Sequence, residues 1–360
     1  MRGAPLRRRS TWAAATAAGW LDRIDPGTNR RIKGLRLVTA YAIAAMLGTL
    51  QGISHGLSGG ASLGSLAGGF ALWASVSEGR TTRSESSRDL ALLVAAAALG
   101  AASMIALAPV LGAKGWPGPE LTLVTGAFLV GYLKRFGVLG AGVGSQVYIG
   151  QLLAYTAGLT RADLPTVAVA GVIAGIAAIV PRVLSGPAEH PAFAPINGTV
   201  GADRPAPELR MGLQAAMAAV VIVLLNDAIG LEESVWAITA CTYVIAGSTA
   251  GTMDRVRRRI VGTVIGVPLG LACLPIALHA PLLVWMAAAL AMVVYAMALP
   301  ERYDIACGAY AFTLIVTLAA SGDGSAFLLA ARAWETLIGG ALGLATAMLI
   351  LPIRDARPRK

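Results

Sequence analysis

The chain has 360 residues, of which 56% are hydrophobic and 13% charged, and it carries a formal net charge of +10. A soluble domain usually holds about 25% charged residues, so this composition excludes an ordinary water-soluble fold and describes a membrane protein. The basic excess would suggest nucleic acid in a soluble protein; here segments lying against an anionic inner leaflet account for it, and no nucleic-acid partner is expected.

Residues 1–33 read as a basic cytoplasmic segment. Arg7, Arg8 and Arg9 precede an Ala-rich stretch from Ser10 to Leu21. That stretch predicts an interfacial helix, capped by Ser10 or Thr11, with Trp12, Trp20, Leu21 and Ile24 at the membrane surface. Residues 34–184 then hold six apolar stretches, at 34–54, 59–77, 89–112, 119–135, 138–159 and 162–182. Each is close to the ~20 residues that a helix needs to cross a bilayer. A polar Pro/Gly/Ala-rich linker at 185–207 divides the chain. The Asn197-Gly198-Thr199 sequon within it falls on the expected cytoplasmic side, as a chance match. A second set of six stretches occupies 208–353, at 209–229, 234–253, 259–278, 280–299, 303–320 and 327–352, and residues 354–360 form a basic tail.

With the amino terminus inside, 26 of the 29 Lys and Arg residues fall in inward-facing segments, and only Lys114, Arg161 and Arg332 fall outside. This positive-inside pattern fixes the expected fold. It is an all-α integral membrane protein of about twelve transmembrane helices, with both termini cytoplasmic.

The two sets read as copies. Arg161-Ala162 opens the sixth stretch and Arg332-Ala333 the twelfth, and Pro181 then matches Pro352. With small shifts Leu35-Arg36 matches Leu209-Arg210, Trp73 matches Trp236, and Arg88 and Gly100 match Arg258 and Gly270. Six spans is an even number, so both copies point the same way, as a parallel repeat about an axis along the membrane normal. Strips of small residues, Gly262, Gly266 and Gly270 in the ninth stretch and Gly339 and Gly343 in the twelfth, predict close helix packing. Gly171 and Gly175 repeat the spacing in the sixth.

Candidate path residues come from charges and polar stripes at membrane depth. Arg161 and Arg332 lie near the outer boundary, with Glu335 on the same helix face as Arg332. They read either as interfacial arginines that snorkel to water or as a pair attracting a carboxylate to the outer mouth. Arg36 and Arg210 hold the corresponding inner positions, where leaflet anchoring competes with substrate contact. Tyr148, Gln151 and Tyr155 share a face of the fifth stretch with Gly144, and Tyr310, Thr313 and Thr317 form a similar stripe with Asp304 in the eleventh. Trp236, Thr239 and Tyr243 make a shorter stripe in the eighth. These groups suit an aromatic carboxylate, and they suit interhelical hydrogen bonding equally well. The acids nearest membrane depth, Asp227, Asp304 and Glu335, read as close to helix ends, which leaves passive anion conduction open beside proton-coupled export. Cys241, Cys273 and Cys307, with His55, His190 and His279, are too scattered for a metal site, and no cofactor is expected.

The stretch Asp254-Arg255-Val256-Arg257-Arg258-Arg259-Ile260-Val261-Gly262-Thr263-Val264-Ile265-Gly266 resembles the basic cluster, GT pair and small-residue helix of the fusaric acid resistance family. These integral membrane proteins include bacterial aromatic acid exporters. Arg332-Ala333-Trp334-Glu335-Thr336-Leu337-Ile338-Gly339-Gly340, running on to Pro352, is similar to that family's last membrane helix. The resemblance covers roughly 230–352 and, more faintly, 34–182. It implies a multi-pass secondary transporter of the bacterial inner membrane that exports organic, aromatic carboxylate anions. An organic-anion channel or uniporter and a non-transporting membrane scaffold are the alternatives. No HExxH, nucleophile elbow, Walker sequence or paired-Asp polyprenyl motif occurs, so no enzyme is expected. The expected partners are a small organic anion and membrane lipids, and the glycine strips are compatible with a homo-oligomer.

Overall fold

The computed structural model describes residues 25, 28–54, 63–80, 82–112, 118–185, 207–231, 234–299, 301–320, 325–350 and 352–353. The expected interfacial helix from Ser10 to Leu21, nearly all of the 185–207 linker, Lys114 and the basic tail lie outside them. Among the described residues the chain is helical and contains no strand. In chain order the principal helices are α1 (Asn29–Thr49), α2 (Leu63–Ser77), α3 (Arg83–Gly112), α4 (Leu121–Tyr132), α5 (Gly137–Thr156) and α6 (Leu164–Leu184). They continue as α7 (Pro207–Ile229), α8 (Ser234–Val244), α9 (Thr249–Ala272), α10 (Pro281–Ala298), α11 (Tyr303–Ala320) and α12 (Ala326–Leu349). A helix thus lies on each apolar stretch. Seven helical segments are long and apolar enough to cross a membrane, with Leu121–Thr156 taken as one of them; four more apolar helices are shorter.

Local chemistry sets the breaks between helices. A 3₁₀ turn, Leu133–Phe136, runs into Gly137, whose φ of 75° only glycine adopts without strain. The chain reverses there. Gly126 faces Tyr148 and Gln151, and Gly144 faces Leu129 and Val130, so α4 and α5 form an antiparallel hairpin. Before α6, Thr160 and Asp163 cap one another reciprocally. Ser248 caps α9 by accepting from the Gly251 N–H at 3.1 Å.

α2 and α8 are buried almost all round, whereas helices at the periphery bury one face and leave an apolar one outside. On α6, Ile173, Ala174 and Ala177 are buried, while Val172 and Ile176 are 65% and 53% exposed. An exterior of that kind matches lipid, where a water-soluble fold would place charge. Inside, glycines let backbones meet. A Cβ on Gly262 would strike Asp304 and Gly308, one on Gly266 would strike Gly308, and one on Gly270 would strike Ile315. The matched order shows α9 and α11 running parallel. Gly142 and Gly150 of α5 meet Leu93 and Ala101 of α3 in the same parallel sense, as Gly339 and Gly343 of α12 meet Ala237 and Cys241 of α8. Gly171 and Gly175 differ: the first meets only Ala98 at ordinary contact distance, and nothing lies within 4 Å of a Cβ on the second. Their spacing marks an outer face of α6.

Two further pairs join the first six helices to the last six. Gly131 of α4 meets Met211 and Gly212 of α7, and Gly34 of α1 meets Val293 of α10. Arg30 extends the second contact, donating to the Met297 carbonyl at 3.4 Å and pairing with Glu301 at 2.6 Å. The Arg30 guanidinium holds the Glu301 carboxyl below the usual carboxylate range. A depressed carboxyl contributes stability above its unfolded pKa, near 4.5, and that contribution is lost as the pH falls through its folded value. Glu301 is exposed, however, and such pairs are screened by salt. We therefore expect Glu301→Gln to shift the melting temperature by no more than about 2 °C at pH 7 in physiological salt, and the small difference to vanish in acid.

Candidate functional site

Between the two sets of helices lies a cavity of about 1440 Å³, walled by α1, α2, α4 and α5 on one side and by α7 to α11 on the other. Ala141 and Thr156, both on α5, mark its extent, about 22 Å at the helical rise. It is larger than the ~300–1,000 Å³ usual for a site that encloses one small ligand, and its length suits a path.

The two ends differ in charge. At one end the wall carries Lys134, Arg255, Arg258 and Arg259. Most of these cations have protein partners. Arg258 pairs with Asp254 at 2.8 Å and donates to the Glu301 carbonyl at 2.8 Å, and Arg255 donates to the Ile245 carbonyl at 3.3 Å. Arg259 is held only loosely, by a 3.4 Å bond to the Tyr303 hydroxyl, and its buried Nε has no hydrogen-bond partner. Its guanidinium places a positive charge in the cavity wall, suited to pairing with a carboxylate.

Aromatic rings line the middle. Trp73 meets Tyr310 edge-on at 5.5 Å and Tyr295 at 6.2 Å, and the two tyrosines lie 6.3 Å apart. These three rings come from α2, α10 and α11 and face the cavity together. Trp236, Tyr243 and Tyr303 add to the wall.

At the far end Glu120, just ahead of α4, is buried and accepts from three side chains. Tyr155 of α5 donates at 2.6 Å and Ser234 of α8 at 2.7 Å, while the Asn226 amide of α7 reaches both carboxylate oxygens at 3.0 Å. Among the described residues Glu120 makes no ion pair.

The sequence-derived candidates divide among these surroundings. Tyr155, Tyr310, Thr313 and Thr317 line the cavity, as do Trp236, Thr239 and Tyr243. Tyr148 is fully buried behind that wall, its hydroxyl 2.8 Å from Thr239, and Gln151 donates to Ser103 and Thr125 between α5, α3 and α4. Arg161 is exposed in the turn before α6. Arg332 lies in α12, with its side chain outside the described residues. Glu335 is fully buried on α12, about 14 Å from the start of that helix and so deeper than its sequence position suggests. Arg36 is buried in α1 and Arg210 half-buried in α7, and neither is part of the cavity wall. Asp304 is occupied by Arg302 at 2.9 Å. No group of His, Cys, Asp and Glu able to hold a metal occurs among the described residues.

Sequence reasoning passed over Arg259 and Glu120. Arg259 sits in a run of basic residues and reads as one more inner-leaflet anchor. The signal that separates it is helical spacing: Arg255, Arg259, Thr263 and Val267 share one face, which turns from basic to apolar where it enters the protein. Glu120 reads as an acid at a helix start, where the dipole alone would explain it.

Residues 217–346 match the family described as fusaric acid resistance protein-like. The match runs from within α7 to the last turn of α12 and includes Asp254–Gly266 and Arg332–Gly340, on which the resemblance rests. Together with the apolar helices it identifies a multi-pass membrane protein of transporter-like type. No curated protein and no solved structure matches the chain.

Proposed function

We propose that this chain, whose residues 217–346 carry the fusaric acid resistance protein-like unit, moves organic anions, and aromatic carboxylates in particular, out of the bacterial cytoplasm across the inner membrane. The observation that carries the reading is Arg259, a cation in the wall of a cavity whose next layer is aromatic. A benzoate-like molecule satisfies both: its carboxylate takes the guanidinium and its ring lies against Trp73, Tyr295 and Tyr310.

Orientation follows from charge. The end that gathers Arg30, Lys134, Arg255, Arg258 and Arg302 is the cytoplasmic one under the positive-inside rule, and it is also where the anion site lies. Cargo is captured on the inside. All twelve helices cross the membrane in this reading, in two parallel repeats of six. Supporting the repeat, packed helix pairs recur when each number is raised by six: α1–α2 with α7–α8, α2–α6 with α8–α12, α3–α5 with α9–α11, and α4–α7 with α10–α1. The last correspondence is the two contacts between the halves, as a twofold axis through the cavity requires. Membrane lipid and the transported anion are the partners in this scheme. No chemical step is performed on the cargo.

Flux in proteoliposomes tests it. Aromatic and aliphatic carboxylates of equal charge are supplied, with a pH gradient and a potential imposed separately. Saturable movement that favours aromatic acids by about tenfold, the value of one or two good ring contacts, is expected. Current that follows the potential alone would make the protein a uniporter, and no flux in folded protein would overturn the reading.

A further inference from the structure

Apart from the cavity, four helix ends meet at the basic end of the molecule and bring together side chains of unequal charge. Lys33 and Arg36 come from the second turn of α1, Glu78 from the residue after α2, Ser86 from the first turn of α3 and Arg182 from the last turn of α6. Arg36 and Arg182 are buried, at 9% and 2% exposure, and Glu78 is buried with them. Lys33 donates to the Glu78 carbonyl at 2.6 Å, and Arg182 donates to the Ser86 hydroxyl at 2.8 Å. Arg36 is close enough to interact electrostatically with Arg182 and Glu78, as Lys33 does with Glu78 and Arg36.

This cluster is short of negative charge. Three cations surround one acid, and the Glu78 carboxylate already accepts from the Arg80 N–H at 2.7 Å. The nearby Asp89 is engaged by Arg80 at 2.6 Å. Among the described residues neither Lys33 nor Arg36 forms an ion pair, and Arg36 makes no hydrogen bond. Its Nε is enclosed without a partner, while its two Nη atoms reach accessible surface. A charge desolvated in this way is costly unless an anion meets it.

Depth identifies the anion. Arg36 stands at the start of the apolar stretch 34–54 and Arg182 at the end of 162–182, where hydrocarbon gives way to headgroups. α1 and α6 pack against each other. Leu35 and Leu184, beside these arginines in the chain, are 58% and 78% exposed and offer apolar surface to acyl chains.

We propose that Lys33, Arg36 and Arg182 hold the phosphate of an anionic lipid between α1 and α6, at a site separate from the transport cavity. The Arg36 fork suits two phosphate oxygens, and Lys33 adds a point charge. A choline headgroup brings its own cation against these three, so the site selects lipids of net negative charge.

Native mass spectrometry of the full chain in detergent tests the site. The protein is titrated with dioleoylphosphatidylglycerol and, separately, with dioleoylphosphatidylcholine, so that only the headgroup differs. Wild type is expected to bind its first phosphatidylglycerol about tenfold more tightly than its first phosphatidylcholine. Arg36→Gln is expected to reduce that preference at least fivefold, whereas Arg88→Gln, which removes an exposed charge near the same end of α3, changes it less than twofold. Equal losses in the two variants would mean general attraction to surface charge and would overturn the site. Equal binding of the two lipids by wild type overturns it as well; that is the result if Glu189 or Asp203 of the linker, both outside the described residues, fills the cluster instead. Inorganic phosphate separates the sources: a headgroup site retains its lipid in millimolar phosphate, and full displacement would overturn the lipid assignment in favour of the free ion. Should Arg36→Gln not fold, Lys33→Gln is expected to lower the preference at least threefold, and an unchanged preference counts against the site.

Discussion

On the proposed function, replacing Arg259 by glutamine is expected to lower the transport of aromatic carboxylates by a factor of about 10 to 100, with membrane abundance unchanged. The size follows from what the side chain offers. Hydrogen bonds to a charged group are worth about 1.5–3 kcal/mol, and each 1.4 kcal/mol is tenfold in affinity. Of the three wall arginines, Arg259 is the one held only by a long bond, since Arg258 and Arg255 are engaged by Asp254 and by the carbonyls of Glu301 and Ile245. Removing it costs the protein one long bond to Tyr303, which is little. Lysine keeps the charge but lacks the planar fork that grips both carboxylate oxygens, so Arg259→Lys falls between glutamine and wild type. The measurement is initial flux against substrate concentration, alongside size-exclusion profiles of each variant. If Arg259→Gln transports with wild-type KM and maximal rate, the anion site lies elsewhere in the cavity.

The second large effect is on folding. Gly266→Leu is expected to destabilise the protein by about 3 kcal/mol or more, the upper end of the range for overpacking. At Gly266 the backbones of α9 and α11 touch: a Cβ there runs into the Gly308 carbonyl, and neither partner has a side chain that can turn aside. The helices would have to separate along the strip that also includes Gly262 and Gly270. Gly175→Leu is the matched control, because that position looks outward with nothing within 4 Å. Thermal unfolding in detergent, read by fluorescence-detected size exclusion, is expected to show a drop above about 5 °C for the first and less than 2 °C for the second. Equal melting temperatures would mean that the glycine strip does not set the α9–α11 distance.

That contrast shows what one-dimensional spacing carries. Apolar length located the helices, since a lipid-facing stretch has to form all its backbone hydrogen bonds within itself. The GxxxG spacing in α9 and the same spacing in α6 are identical on paper, yet one meets a backbone and the other faces outward, because spacing does not name the neighbour. The tyrosine stripe divides for the same reason. Tyr148 and Tyr155 sit two turns apart on α5, but the first is pinned to Thr239 behind the wall and the second lines it. Arg259 and Glu120 were illegible as cavity-wall groups for a different cause. Each has an adequate local explanation, inner-leaflet charge for one and helix dipole for the other. Only the approach of Tyr303, Asn226 and Ser234 from distant parts of the chain separates them from the ordinary case.

The meeting of Gly131 with Gly212 also sets a lever. From that contact to Glu120 is eleven residues of chain along α4, an arm of about 16 Å. A tilt of about 15° between the halves, modest beside known subunit rotations, carries the far end of that arm through about 4 Å. Carbon surfaces in contact lie ~3.5–4.0 Å apart, so this displacement matches the thickness of one flat ring. A planar acid could slip out edge-first through such a slot, while a bulky, tetrahedrally branched acid of the same charge would be held back. The geometry of the joint would then sort cargo by shape, independently of the sorting by charge proposed for Arg259.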